Sequence, residues 1–270
     1  MPSTPAPSVS EIARLADRYR LRALDMLAPL GFGYLGQTLS SAELVATLYS
    51  GHYRHGVDDL VCSPGHYAIA FYAAAAEAGR LSDERLSRYG QDGSDLEAIG
   101  TERSPELDLI GGSLAQGLSG AVGFALAARL RGDTDKRVFA LISDGEIEEG
   151  QLWEAALFAS HHRLDNIVAI LDANDSQVDG PVSSVTTIDP ISDKWEAFGW
   201  HAFDIDGHDP AAIDKALHAA AEADGPAVII GRTSPRHGLA CLPADADSHF
   251  IKLPADLVAA ARRELADRVS

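Results

Sequence analysis

Residues 138–180 read VFALISDGEIEEGQLWEAALFASHHRLDNIVAILDANDSQVDG, and their pattern decides the fold. Val138 to Ile142 is a short, β-branched apolar run with the length of a buried strand. It ends in Ser143-Asp144-Gly145. From Gly150 to His162, Leu152, Ala155, Ala156 and Ala159 recur at helical spacing. A second apolar run, Ile167 to Leu171, ends in Asp172-Ala173-Asn174. The pattern predicts a β-α-β unit with oxygen-bearing side chains just past both strands. Ligands of open parallel sheets bind at those carboxyl ends.

The side chains there suit a hard cation. Asp144 offers a carboxylate, Asn174 a neutral amide oxygen, and the following turn a main-chain carbonyl, most simply that of Ser176. Few oxygen ligands of modest charge fit Mg²⁺ (or Ca²⁺ or Mn²⁺) completed by phosphate oxygens and water. Gly145 leaves room for a diphosphate to approach the backbone. Taken alone, Asp144-Gly145 is an ordinary turn and Asn174 a loop cap. Their placement after two strands of one unit, with Glu146, Glu148 and Glu149 between, carries the metal–diphosphate reading.

At these residues the chain resembles the thiamine diphosphate enzymes, whose signature is Gly-Asp-Gly followed some thirty residues later by Asn. More narrowly it is similar to the N-terminal half of transketolase. The matching residues are Glu149-Gly150-Gln151-Leu152-Trp153-Glu154-Ala155, Leu164-Asp165-Asn166, Asp172-Ala173-Asn174 and Asp179-Gly180. Ser143 replaces the first Gly. The resemblance implies metal ligands at Asp144, Asn174 and the Ser176 carbonyl, and cofactor contacts at Gly145, Glu146 and Asn174. It also implies that Glu149 and Glu154, otherwise ordinary surface carboxylates, are buried at a subunit interface.

The resemblance extends along the chain. Ser63-Pro64-Gly65-His66 opens a helix, whose N-terminus suits an anion. His66 matches a family His near the cofactor, with Pro64 in place of Lys or Asn. Gly111-Gly112-Ser113-Leu114-Ala115-Gln116-Gly117 matches a loop in which Gly112 and Ser113 approach the cofactor and Leu114 wedges against its pyrimidine. Ser248-His249-Phe250 is the best match for a His touching diphosphate and substrate, with His237 as the fallback. Two family imidazoles are replaced, by Tyr34 and Thr101. His208, in Gly207-His208-Asp209, reads as a loop or cap residue.

The expected fold is α/β, a mostly parallel sheet with helices on both faces. It forms a single diphosphate-binding domain over residues 11–270 after a disordered lead-in at 1–10. Ser10 is expected to cap a first helix reaching about Pro29. Ser40 or Ser41 is expected to cap a second. The formal charge of −18 argues against nucleic acid as a partner. No apolar stretch has the length of a membrane span. The first ten residues lack the pattern of a signal peptide. Cys62 and Cys241 form no CxxC, and read as reduced thiols of a cytoplasmic protein.

Thiamine diphosphate catalysis needs a glutamate beside the aminopyrimidine. In the resembling family a separate pyrimidine-binding domain supplies it. The expectation is therefore the N-terminal subunit of a split transketolase, completed by a C-terminal transketolase subunit in an α₂β₂ assembly. Its activity would be transfer of a two-carbon ketol unit from a ketose phosphate to an aldehyde, with His66 and His249 at the reacting centre. The alternatives are a 2-oxoacid dehydrogenase or decarboxylase-type subunit, and a non-catalytic regulatory subunit.

Overall fold

A computed structural model of the chain describes residues 7–243 and 246–270. The expected lead-in therefore lies mostly outside the described residues, and its last part does not hold. Helix α1 spans Val9–Leu27, and its cap is Ser8, not Ser10. The Ser8 hydroxyl accepts from the Glu11 N–H while the Glu11 carboxylate accepts from the Ser8 N–H, a reciprocal capping box. A two-residue strand β1 (Phe32–Gly33) leads into α2 (Leu35–Thr47). Helix α2 begins five residues before Ser40, so neither Ser40 nor Ser41 is its cap; both hydroxyls donate back to the Gln37 carbonyl.

The chain continues through β2 (Asp59–Cys62), α3 (Ala68–Glu77), α4 (Asp83–Leu86), β3 (Leu109–Ile110) and α5 (Gln116–Arg131). Then come β4 (Val138–Ser143), α6 (Gly150–His161) and β5 (Ile167–Ala173), the β-α-β unit expected from the sequence. Helices α7 (Val182–Val185) and α8 (Ile191–Ala197) precede β6 (His201–Asp206), α9 (Pro210–Ala221) and β7 (Ala227–Arg232). Strand β8 (Ile251–Lys252) and α10 (Ala255–Val269) follow.

Six strands form one all-parallel sheet in the order β3-β2-β4-β5-β7-β6. Strands β4 and β5 lie at its centre, and every residue of both is buried. A strand covered on both faces reads as a continuous apolar run, as these do. Alternate residues of β5 feed two apolar layers. Val168 and Ile170 meet α1, α2, α3 and α9 on one face; Ile167, Ala169 and Leu171 meet α5, α6 and α8 on the other. The pair β1–β8 is antiparallel and separate, and ties the loop before α2 to the segment after His249. No helix among the described residues is long and apolar enough to cross a membrane.

Candidate active site

The carboxyl ends of β2, β4, β5 and β7 converge. Register pairs Ser143 with Asp172, so Asp144 and Asn174 leave adjacent strands side by side. Asp144 is 2 % exposed. Its Oδ1 accepts from the Gly145 N–H at 2.9 Å and its Oδ2 from the Asp175 N–H at 2.6 Å. Asn174 Oδ1 accepts from the Ser176 N–H at 2.9 Å. Both expected ligands are therefore fastened to the same turn, which also carries the Ser176 carbonyl.

Asp172 sets the amide of Asn174. Asp172 is on β5 and Asn174 follows its last residue, two positions on, so the two side chains point the same way. Asn174 Nδ2 donates to Asp172 Oδ2 at 3.1 Å and to the Tyr67 hydroxyl at 2.9 Å. Asp172 Oδ2 also accepts from the Ser40 hydroxyl at 2.5 Å and the Tyr67 hydroxyl at 2.9 Å, and its Oδ1 from the Thr233 hydroxyl. With nitrogen committed to this network, the amide oxygen is left to the turn, where it accepts from the Ser176 N–H. Sequence reasoning assigned no role to Asp172, Tyr67 or Thr233. The available signal was the two-residue spacing of Asp172 and Asn174.

Glu146 is fully buried and acts as a strut. Its Oε1 accepts from the Ser63 hydroxyl at 2.5 Å and the Ala115 N–H at 2.7 Å; its Oε2 accepts from the Ser143 N–H at 3.0 Å. It joins the end of β2, the turn before α5 and the end of β4. A ligand contact at this carboxylate would have to displace one of these donors. The turn before α5 is shaped by Gly112 at φ +71° and Ala115 at φ +68°. At Gly117 a methyl group would come within 2.4 Å of the Ser63 backbone, so only glycine admits this approach. Gly112, Ser113 and Leu114 are exposed on the rim above the strand ends.

Burial raises the Asp144 pKa to about 7, with the Asp172 charge adding to it. Burial also raises Glu146 to about 7, against the lowering effect of its donors. Asp172 is raised by burial as well. No Lys or Arg side chain bonds to any of the three carboxylates among the described residues. A buried carboxylate with backbone donors and no cation fits a site completed by a divalent ion. The donor set of one carboxylate, one amide oxygen and one turn carbonyl fits Mg²⁺.

Imidazoles flank this group. His66 and His249 have ring centroids 5.0 Å apart, and Tyr34 lies 5.3 Å from His66 and 5.8 Å from His249. Phe250 closes on Tyr34 at 5.1 Å. Burial pushes the His66 pKa down to about 3, with His249 contributing, and burial lowers His249 too. Both rings are thus neutral near pH 7. Gln37 Nε2 lies 3.3 Å from His249 Nδ1 and 3.2 Å from the His249 carbonyl oxygen. The Ser248 and Ser176 hydroxyls are 2.9 Å apart, joining the His249 segment to the metal turn.

The structure thus brings together Asp144, Gly145, Asn174, Ser176, His66 and His249, with Glu146 beneath. It places His237 elsewhere, stacked on His208 at 3.6 Å and 3.8 Å from Glu43. His208 is a loop residue whose Nε2 accepts from the Ser234 N–H and whose Nδ1 meets Glu43. Glu149 and Glu154 are exposed in the single chain.

The family described as "Transketolase, thiamine diphosphate binding domain" matches residues 12–268. A transketolase family protein, y4mO of Sinorhizobium fredii, is 39 % identical over 249 residues, covering 88 % of this chain and 89 % of that protein. The 6-deoxy-6-sulfo-D-fructose transketolase subunit SqwG of a Clostridium species is 36 % identical over 265 residues, covering 94 % of this chain and 96 % of that subunit. The crystal structure of transketolase from Campylobacter jejuni superposes with a TM-score of 0.88 at 28 % identity, over 94 % of this chain but only 42 % of that one.

Proposed function

The chain belongs to the transketolase thiamine diphosphate-binding family, and from that premise we propose that it is the diphosphate- and metal-binding subunit of a two-component transketolase. The reaction is transfer of a two-carbon ketol unit from a ketose phosphate to an aldehyde. The observation that carries this reading is the buried Asp144 carboxylate, just past β4 beside Asn174 just past the adjacent β5, without a cationic partner and near the neutral His66–His249 pair.

Asp144, Asn174 Oδ1 and the Ser176 carbonyl would hold Mg²⁺, with the diphosphate over Gly145 and the Gly112–Leu114 rim. Thiamine diphosphate supplies the carbon nucleophile that this fold lacks. His66 and His249, neutral and half-enclosed by Tyr34 and Phe250, would orient the donor's oxygens by hydrogen bonds and keep water from the reacting centre. Gln37, at His249 Nδ1, leaves His249 Nε2 free for this contact.

Residues 11–270 act on this reading as one domain. The partner is a second polypeptide carrying the pyrimidine-binding domain and its glutamate. Support comes from the near end-to-end match to a relative named as a transketolase subunit, set against the 42 % span of the Campylobacter enzyme. An α₂β₂ assembly would cover the exposed face of α6, where Leu157 and Phe158 are 56 % and 43 % exposed beside Glu154. The free thiols Cys62 and Cys241 suit a reducing cytoplasm.

Calorimetric titration of thiamine diphosphate with Mg²⁺, into the chain and into its complex with a C-terminal-half subunit, tests the proposal. Tight binding in the complex, abolished by Asp144→Ala, is the expected result. Binding that survives Asp144→Ala unchanged would overturn the metal assignment.

A further inference from the structure

At the far end of α2, away from the strand carboxyl ends, lies a separate group of metal-ligating side chains. Helix α2 starts beside Tyr34, and its continuation, a π-helical turn over Leu48–His52, carries the chain away to His52. Helix α9 connects the parallel strands β6 and β7 and so runs against their direction. It places Asp214 and His218 one turn apart on one face, four residues from each other.

His52 Nε2 lies 2.8 Å from Asp214 Oδ1, and His218 Nε2 lies 3.7 Å from the same oxygen. One ligand atom from each of the three residues lies within 4.8 Å of the others, and the two imidazole centroids are 4.8 Å apart. Tetrahedral coordination with bonds of about 2.0–2.1 Å puts neighbouring ligand atoms roughly 3.3 Å apart. The observed separations from Asp214 fall on either side of that value. Closing on an ion asks the His52–Asp214 pair to open by about 0.5 Å and the His218 side chain, 72 % exposed near the end of its helix, to move in by a similar amount. The His52 side chain is only 12 % exposed and is a fixed ligand held by packing.

We propose that His52, Asp214 and His218 form a binding site for a divalent transition metal of the zinc class, with the fourth position left to water. Two imidazoles and one carboxylate select Zn²⁺, Cu²⁺ or Ni²⁺ over Mg²⁺, so the site differs in chemistry as well as place from the one at Asp144. The chain's formal charge of −18 raises the local concentration of cations. A bound ion would clamp the end of the α2 extension to α9, two segments otherwise joined here by the His52–Asp214 hydrogen bond.

A comparable trio, Glu43, His208 and His237, is already committed. Arg20 pairs with Glu43 at 2.5 Å, the Ser234 N–H occupies His208 Nε2 at 2.9 Å, and His208 and His237 are stacked. Glu43 and His208 have partners without an ion.

The test is Zn²⁺ titration into the full chain by calorimetry, repeated with Co²⁺, whose visible bands report a nitrogen- and oxygen-ligated tetrahedral ion. His218→Ala and Asp214→Asn remove exposed ligands and should leave the fold intact. One Zn²⁺ per chain is expected at this site, weakened roughly tenfold or more in both variants because a ligand is lost. The affinity should be unchanged in His237→Ala and Asp144→Ala. At hundredfold excess over the parent's Kd, Zn²⁺ should raise Tm by about 5 °C in the parent and by about half that or less in His218→Ala. Equal zinc affinity and stoichiometry in the parent and both ligand variants, or no zinc binding at all, would overturn the proposal.

Discussion

Glu146→Gln is a sharp probe of how the site is built, because its effect should change with pH. The carboxylate accepts three donors, from Ser63, Ala115 and Ser143. Glutamine keeps the shape but has one oxygen. Whichever way its amide turns, one backbone N–H is left facing an NH₂ group, at a cost of about 1–3 kcal/mol. Against this stands the cost of ionising the buried glutamate. Its pKa is raised from 4.5 to about 7, which corresponds to about 3 kcal/mol when the group is fully charged. A carboxyl with a raised folded-state pKa favours folding only while protonated. That advantage is complete below about 4.5 and is lost as pH rises through about 7.

At pH 5 the parent retains most of the advantage, and Glu146→Gln should be the less stable protein by about 1–2 kcal/mol. At pH 8 the advantage is gone, and the variant should equal or slightly exceed the parent. The gap closes by about 2–3 kcal/mol over this interval. Asp144 titrates in the same range, but in both proteins, so the difference isolates position 146. Urea unfolding of metal-free chain at the two pH values measures it. A stability difference independent of pH would refute the reasoning and show that Glu146 is already ionised at low cost in the folded chain.

Two further changes probe the surroundings of the site. At Gly36 a methyl group would sit 2.0 Å from the Ser248 carbonyl oxygen, so Gly36→Ala must push the His249 segment outward. It should cost about 1–3 kcal/mol, read as a fall in Tm, and weaken diphosphate binding in the same variant. Phe158→Asp, on the exposed face of α6, should leave the isolated chain's Tm nearly unchanged while shifting the sedimentation of the partner complex toward smaller species. Glu154→Ala should weaken the same assembly, and unaltered sedimentation and activity would remove Glu154 from the interface.

Much of this architecture was legible because the central strands are buried on both faces and so spell out long apolar runs. The β4–α6–β5 unit came through with ends displaced by two residues or fewer. Elements that depend on distant partners did not. Strands β1 and β8 have two residues each and exist because the loop before α2 meets the segment after His249. The start of α2 was obscured by glycines at 31, 33 and 36 that suggest a longer loop, and Tyr34 caps it without a side-chain bond. Ser8-x-x-Glu11 carries the capping-box pattern, and it caps α1 two residues before the expected Ser10. Within the site, the residue types at Asp144 and Asn174 announced themselves. The choice between His249 and His237 did not, because it rests on Gln37 and Ser248 drawing one segment in and on His208 holding the other away.

The departures from the family pattern fall into two kinds, and the structure separates them. Ser143 and Pro64 stand where backbone matters. Ser143 ends β4 with its N–H held by Glu146, and it is not among the residues at positive φ, so this position does not require glycine. Pro64 precedes a turn in which its carbonyl accepts the Tyr67 N–H at 2.9 Å, a role open to any residue. Neither change disturbs the oxygens at Asp144, Asn174 and Ser176. Tyr34 and Thr101 instead change side-chain chemistry. The Tyr34 ring is packed among His66, His249 and Phe250, replacing a small polar imidazole by a larger, more apolar wall. The Thr101 hydroxyl accepts from the Arg103 N–H at 3.3 Å and serves its own turn. On the proposed reading, the cofactor end of the site is conserved in chemistry, and the divergence is concentrated at the end that would select the donor.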